Sequence, residues 1–376
     1  MKVFKKIIYS IFIVIFLLLL FIKIKHGRGS LYPDLSQNPI FPETALERIV
    51  ALDYPPGNIA ISGNGRIFFN YHPFVKAERF GATVFELVNG KPEPFPSMEY
   101  QKKYQGVFGM TIDSQNRIWF VEPASLDFPK TNLIAFDINT KEKIFDFSFP
   151  ENVGRFAQDL RITSDGKKVI LADTGFFKFT DPGLIVFNTD DKSYKVFLQK
   201  HPAAQPQDWV MQTPYGLHRL GYGLITFTVG LDGIEINEKN DTIYLGPMSN
   251  DSIYKASLSA LIEPNATEES VSKTIQKVGQ KTLSDGITID DIGNVIITDT
   301  EHGAIVKLNP NSGKLETIVK SSKVIWSDGV VFESKTGSIY FTDSAIPAYV
   351  HQLALPPAEE KFKQKRPFGI YRIKIK

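Results

Sequence analysis

The chain has 376 residues, 43% of them hydrophobic, a formal net charge of +2 and no cysteine. So small a charge gives no electrostatic footprint for nucleic acid. The lack of cysteine excludes thiol nucleophiles, disulfides, Cys-ligated zinc and a lipid-modified cysteine anchor.

At the N-terminus, Lys2, Lys5 and Lys6 precede an apolar run over 7–22, relieved by Tyr9 and Ser10 and closed by Lys23 and Lys25. At about 1.5 Å per residue this helix is slightly short for the roughly 30 Å hydrocarbon layer, but flanking lysines that snorkel extend its reach. Residues 1–26 therefore read as a signal anchor or a signal peptide. No small-x-small cleavage site follows in 23–28, which favours an uncleaved membrane anchor over a secreted product. Lysines on both flanks nearly cancel the positive-inside signal. The expectation is a propeller outside the cytoplasm, periplasmic or extracellular, with residues 27–43, rich in Pro, Gly and Ser, as its tether.

From residue 44 to 376 the chain is a repeat. A polar or glycine start, an apolar strand, a turn and a second strand recur from Gly57, Phe108, Gln158, Asp232, Asp285 and Asp328. Most steps are near the period of about 40–50 residues that marks propeller blades. The second strands end at Asn70-Tyr71, Val121-Glu122, Ala172-Asp173, Gly246-Pro247, Thr298-Asp299 and Thr342-Asp343. Runs such as Ile118-Trp119-Phe120 and Val169-Ile170-Leu171, bounded by Asp-Gly and Asn-Gly turns, predict buried strands and exclude a helical solenoid. The fold class is all-β, a six-bladed β-propeller behind an N-terminal transmembrane helix. The last unit lacks one strand after the irregular stretch 344–367. Residues 46–52 are expected to supply it by pairing with 370–375, which removes a free sheet edge.

In a propeller, the start of each first strand and the end of each second strand open on the same face. That gathers Asp159, Asp232, Asp285 and Asp328 around an inner ring, with Glu122, Asp173, Asp299 and Asp343 near it. Clustered carboxylates in a funnel must accept backbone hydrogen bonds, hold protons or face a cation. Any one of these Asp residues also reads as ordinary turn chemistry. Glu301-His302 follows Asp299 on the rim; His302 is a general base or orienting group in the functional reading and a capped loop histidine in the plain one. His72 is equivalent in the first blade. Tyr71, Trp209 and Trp326 offer aromatic walls for an amine, or blade-to-blade packing. The longest step holds the polar, proline-rich segment 201–209, a candidate lid.

Several motifs agree in order and spacing: residues 283–305 from Leu283-Ser284-Asp285-Gly286 onward, Val229 to Ile236 followed by Ile243 to Ser249, His201-Pro202, Trp326-Ser327-Asp328-Gly329-Val330, and the ending Arg366-Pro367-Phe368-Gly369-Ile370-Tyr371. In these the chain resembles the yellow / major royal jelly protein family. The resemblance implies a six-bladed propeller, mostly secreted, that binds small aromatic amines or acts as an enzyme of the dopachrome-conversion type. A more distant resemblance, to the gluconolactonase (senescence marker) family, implies a divalent cation held by one Glu, two Asn and one Asp at blade starts. By register those positions fall on Gly57, Gln158, Asp232 and Asp285, of which Asp285 alone keeps its type.

Two classes therefore compete, with a protein-interaction scaffold as a third. A yellow-type binder or isomerase would hold a small aromatic or cationic molecule at the tunnel mouth, with Tyr71, Glu122, Asp159, Asp173, Asp299, Glu301, Asp328 and Asp343 around it and Asp232, Asp285 and His302 as the chemical groups. A lactonase-like hydrolase would hold Ca²⁺ or Zn²⁺ through Gln158, Asp232 and Asp285, and a carboxylate such as Asp232 would activate water.

Overall fold

Each sequence repeat forms a four-stranded antiparallel sheet, and six such sheets are present among the described residues. The structure, a computed structural model, describes residues 2–75, 81–125, 128–237, 239, 241–350 and 365–376. Blade 1 comprises Pro56–Ile61, Ile67–Tyr71, Val84–Val88 and Lys91–Pro94; blade 2 comprises Met110–Ile112, Arg117–Glu122, Asn132–Asp137 and Lys143–Ser148. Blade 3 comprises Ala157–Ile162, Lys168–Asp173, Gly183–Asn188 and Tyr194–Phe197; blade 4 comprises Leu231–Ile236, Thr242–Pro247, Ser252–Ser257 and Gln276–Gln280. Blade 5 comprises Ile287–Ile289, Val295–Asp299, Ala304–Leu308 and Leu315–Lys320. Blade 6 comprises Ser327–Glu333, Ser338–Asp343 and Phe368–Lys374, completed by Glu47–Leu52 from the other end of the chain. Leu52 pairs with Phe368 and Glu47 with Arg372, so the ring closes as expected. Most of the irregular stretch before that strand, residues 351–364, lies outside the described residues.

The blades are held face to face by apolar side chains of the second and third strands and of the residues that follow the fourth. Phe68, Phe95, Phe120 and Phe136 pack between blades 1 and 2, and Trp119, Phe149 and Phe187 between blades 2 and 3. Edge-to-face ring pairs recur there, such as Phe68 with Phe95 at 5.1 Å between centroids, an arrangement favoured by the ring quadrupoles.

The repeated Asp-Gly pair is more than a turn. It lies inside the first strands of blades 4 and 6, at the axis, where neighbouring blades nearly touch. A Cβ on Gly233 would stand 3.0 Å from the Asp285 carbonyl oxygen, one on Gly286 2.7 Å from that of Asp328, and one on Gly329 2.9 Å from Asn58 Cα. Glycine is what lets these backbones converge. The pairing register slips at the same place in blades 1, 3, 4 and 6, between Pro56 and Ile59, Ala157 and Asp159, Leu231 and Gly233, and Ser327 and Val330. Such bulges re-aim side chains, and here they turn Asp232 and Asp328 toward the tunnel mouth. Side chains from the second strands brace them: Thr298 Oγ1 accepts from Gly286 N at 3.1 Å, Thr342 Oγ1 from Gly329 N at 3.0 Å, and Asn70 Oδ1 from Asn58 N at 2.7 Å.

The N-terminal helix, Lys2–His26, stands out from the propeller with its apolar side chains exposed. Residues 27–43, expected as a tether, run along the propeller as a strap. Ser30–Leu31 pairs in parallel with Trp209–Val210, Tyr32 donates to the Lys281 carbonyl at 2.7 Å, and Ile40 and Phe41 donate to Thr317 and Ile318.

Candidate functional site

A cavity of about 280 Å³ opens at the axis on the face where second strands end. Its floor carries Asp159, Asp232, Asp285 and Asp328 from blades 3 to 6, and its wall carries Tyr71, His72, Phe74, Phe108, Phe156, Phe176, Phe177 and Phe227. The starts of the first strands supply the acids, and the end of one second strand and the loops at the same end of the blades supply the rings. Apolar walls with a few convergent polar groups are the ordinary composition of a ligand site.

The four acids differ in what satisfies them. Asp159 is fully paired: Arg161 Nη1 donates to its Oδ1 at 2.6 Å and Ile234 N to its Oδ2 at 3.0 Å. Arg161 also donates to Glu235 Oε1 at 2.8 Å and to the Leu160 carbonyl at 2.7 Å. Those two carboxylates hold its guanidinium charged against the burial that opposes charge. Arg161 lines both the mouth cavity and a second one of about 210 Å³ beyond it, so its guanidinium plugs the tunnel. Asp285 accepts from the Trp326 indole at 2.6 Å, yet burial pushes its carboxyl up to about 7.

Asp232 and Asp328 are different. Oδ2 of each is buried without a hydrogen-bond partner among the described residues. Burial, reinforced by the neighbouring acids, holds both carboxyls well above the usual range. His72 Nε2 lies 3.8 Å from Asp328 Oδ2. Its Nδ1 accepts from Phe74 N at 3.1 Å, which puts the proton of the neutral ring on Nε2, facing the acid. Burial pushes this imidazole down to about 3, so it stays neutral.

The second-strand acids on the same mouth face inward to backbone. Asp343 accepts from Trp326 N at 2.9 Å, Ala345 N at 3.1 Å and Ile325 N at 3.2 Å. Asp173 accepts from Gly175 N at 3.0 Å, and Glu122 from Gln105 N at 2.9 Å. Asp299 accepts from Glu301 N, His302 N and His302 Nδ1 at 3.0 to 3.2 Å. Glu301 accepts from Gln212 N at 2.6 Å. None of these five is among the residues lining the cavity. His302 is likewise outside it, held between Asp299 and Asp34, whose Oδ2 is 3.5 Å from Nε2; its bond to Asp299 raises its affinity for a proton.

Of the aromatic residues singled out in the sequence, Tyr71 lines the cavity, Trp326 lies beneath it on Asp285, and Trp209 packs edge-on against Tyr32. The segment 201–209 does not reach the cavity: Ala203 and Ala204 are buried against blades 3 and 4. Of the residues that follow it, Phe227 and Val229 line the cavity, and Phe227 packs with His218 against Trp326. Arg161 and the phenylalanine wall were missed. The signal for the wall was legible as Phe176-Phe177-Lys178-Phe179, a run too apolar for a plain solvent loop.

The expected metal ligands do not fit a resident divalent ion. Asp285 already accepts from an indole, the adjacent Asp159 is bound to a guanidinium, and Gln158 turns its amide nitrogen toward Thr174 Oγ1 at 3.4 Å. Among the described residues, no group of three or more His, Asp or Glu side chains gathers closely enough to hold a metal.

Several solved structures are similar in fold to this chain. A gluconolactonase of Xanthomonas campestris matches with a TM-score of 0.53 at 12% identity, covering 92% of this chain and 97% of that one. The calcium-binding protein regucalcin of Agrobacterium tumefaciens matches at 0.52 and 10%, covering 90% and 95%. A catalytically inactive virginiamycin B lyase of Staphylococcus aureus, solved with quinupristin, matches at 0.51 and 12%, covering 88% and 99%. Identities this low carry the fold and not the chemistry. No curated protein sequence matches the chain. The family profile described as major royal jelly protein matches residues 105–352, which is most of the propeller. The chain belongs to the major royal jelly protein family.

Proposed function

We propose that the protein binds a small aromatic amine in the mouth cavity, with the ammonium between Asp232 and Asp328 and the ring among Phe74, Phe108, Phe156 and Phe177. The observation that carries this reading is the pair of buried carboxyl oxygens without hydrogen-bond partners among the described residues, at the floor of an aromatic cavity. A cation there would let both acids ionise, and the ring faces would add cation–π attraction.

An isomerase-type activity fits the same groups. Asp285, poised near 7, exchanges a proton in the physiological range, and His72 offers an Nε2–H to a developing oxyanion. His302 lies outside the cavity and has no place in this chemistry. The lactonase-like alternative, with Ca²⁺ or Zn²⁺ on Gln158, Asp232 and Asp285, has a weaker ligand set for the reasons above. The N-terminal helix, in which an 18-residue window has a mean hydropathy of 3.0, supports a membrane anchor with the propeller outside the cytoplasm. Protease added to intact cells should then digest the propeller.

Calorimetric titration with tryptamine tests the site. Saturation at a hundredfold excess over Kd should stabilise the protein by about 2.7 kcal/mol, and Asp232→Asn should abolish binding while the protein stays folded. Unchanged binding in Asp232→Asn and Asp328→Asn sinks the reading. Stoichiometric calcium or zinc in the purified protein, lost with lactone hydrolysis in Asp285→Ala, would establish the alternative.

A further inference from the structure

The N-terminal helix is bolted to the rim of the cavity. Lys23 Nζ donates to the Gly223 carbonyl. The His26 ring stacks on Phe179 with centroids 3.8 Å apart, and its Nδ1 lies 3.1 Å from the Phe177 carbonyl oxygen. Arg219 donates to the Gly27 carbonyl at 2.9 Å and Thr226 Oγ1 to that of Arg28 at 2.9 Å. From there the strap joins Trp209–Val210 directly, so no loose linker separates helix and propeller. Phe177, which meets the helix end, is itself part of the cavity wall.

A helix whose last turn touches the cavity wall brings the membrane boundary to that wall. The surface around the contact has the composition of a membrane interface. Tyr222, beside the Lys23 contact, is 80% exposed, and Phe176 and Phe179 are 42% and 46% exposed. Lys23 bonds the carbonyl next to Tyr222, Lys178 lies between Phe177 and Phe179 in the chain, and the Arg155 guanidinium stands 6.0 Å from the Phe156 ring that stacks on Phe176. Aromatic rings with interleaved lysine and arginine are what the headgroup layer selects, the rings for its amphipathic depth and the cations for its anionic lipids.

We propose that the mouth of the propeller lies against an anionic bilayer surface and that the cavity takes its ligand from the lipid interface. The inference rests on the anchor and amine-site readings and narrows the ligand to an amphiphilic aromatic amine that partitions at headgroup depth. Phe176 and Phe156, stacked at 5.0 Å on the rim, would be the first rings it meets.

The absence of cysteine makes the test direct, since one introduced thiol takes one label. The full chain is placed in phosphatidylcholine/phosphatidylglycerol nanodiscs containing lipids brominated near the headgroup. Fluorophores are attached in separate variants at Tyr222→Cys, Lys178→Cys, Leu20→Cys in the helix, and Ile292→Cys, an exposed position on a hairpin between the first two strands of blade 5 and so at the opposite end of the blades. Strong quenching at 222 and 178, with none at 292, is expected. Quenching at 20 alone overturns the docked mouth while leaving the anchor intact, and no quenching at 20 overturns both. Bilayer-confined N-dodecyltryptamine should also displace tryptamine from the wild-type protein. Failure to displace it, with 222 and 178 quenched, overturns access from the lipid. The Asp232→Asn titration in detergent reads the amine site independently of all these outcomes.

Discussion

The inner and outer acids of the mouth are the same residue types on the same face, and they do different work. Asp343 and Asp299 at the ends of second strands are each surrounded by backbone N–H groups, which fill their lone pairs and fix the following turn. Asp232 and Asp328, at bulges in first strands, keep a buried oxygen with no hydrogen bond to accept among the described residues. A carboxylate that is spent on backbone is architecture. One that is buried and left short of donors is a place where a proton or a cation is wanted.

The sharpest way to break this comparison is at Asp159, the inner acid that has a partner. Replacing its guanidinium in Arg161→Met leaves Asp159 and Glu235 as buried charges, and should cost about 3–5 kcal/mol in urea unfolding. Adding Asp159→Asn and Glu235→Gln should recover much of the loss. If Arg161→Met alone is neutral, the plug is not holding the axis.

Next in size is the outer set. Asp343→Ala leaves buried N–H donors without an acceptor and should destabilise by about 1–3 kcal/mol. Asp232→Asn removes an acid that is already costly to bury, so its melting temperature should be unchanged or higher. Equal losses in the two variants would erase the distinction between the two sets.

A smaller effect is expected from pH. The Asp285 carboxyl is raised by burial from 3.8 to about 7, so the folded protein holds a proton that the unfolded chain releases. Its contribution to stability is fully present below about pH 4 and is lost as pH rises to 7. Glu122 and Glu301, both raised by burial to about 7, act in the same direction. His72, lowered from 6.5 to about 3, opposes them over that lower interval, one group against several. Urea midpoints measured from pH 4 to 7 should therefore fall, and fall less steeply in Asp285→Asn. A midpoint that rises across this range contradicts the assignment.

The blades were legible because strand formation is local: alternation, β-branched and aromatic runs and turn residues carry it within each repeat, and a missing fourth strand announces its donor. The acids of the mouth were legible by residue number for the same reason, since register along one strand places them. Their states were not. Whether Asp232 or Asp343 finds donors depends on a bulge in one case and on a returning loop in the other, and both bring together atoms far apart in sequence. Arg161 was invisible as a plug because only Asp159, two residues away, shares its strand, while its second partner Glu235 lies on the next blade. The segment 27–43 looked like a free tether because Pro, Gly and Ser are what flexible linkers contain, and composition is silent about the blade edges that bind it. The sequence alone determined the ring of six blades and its apolar N-terminal helix; which acids remain unsatisfied, and that the helix ends on the cavity wall, were decided by tertiary contacts, because burial and hydrogen-bond supply are properties of a place in the fold and not of a residue type.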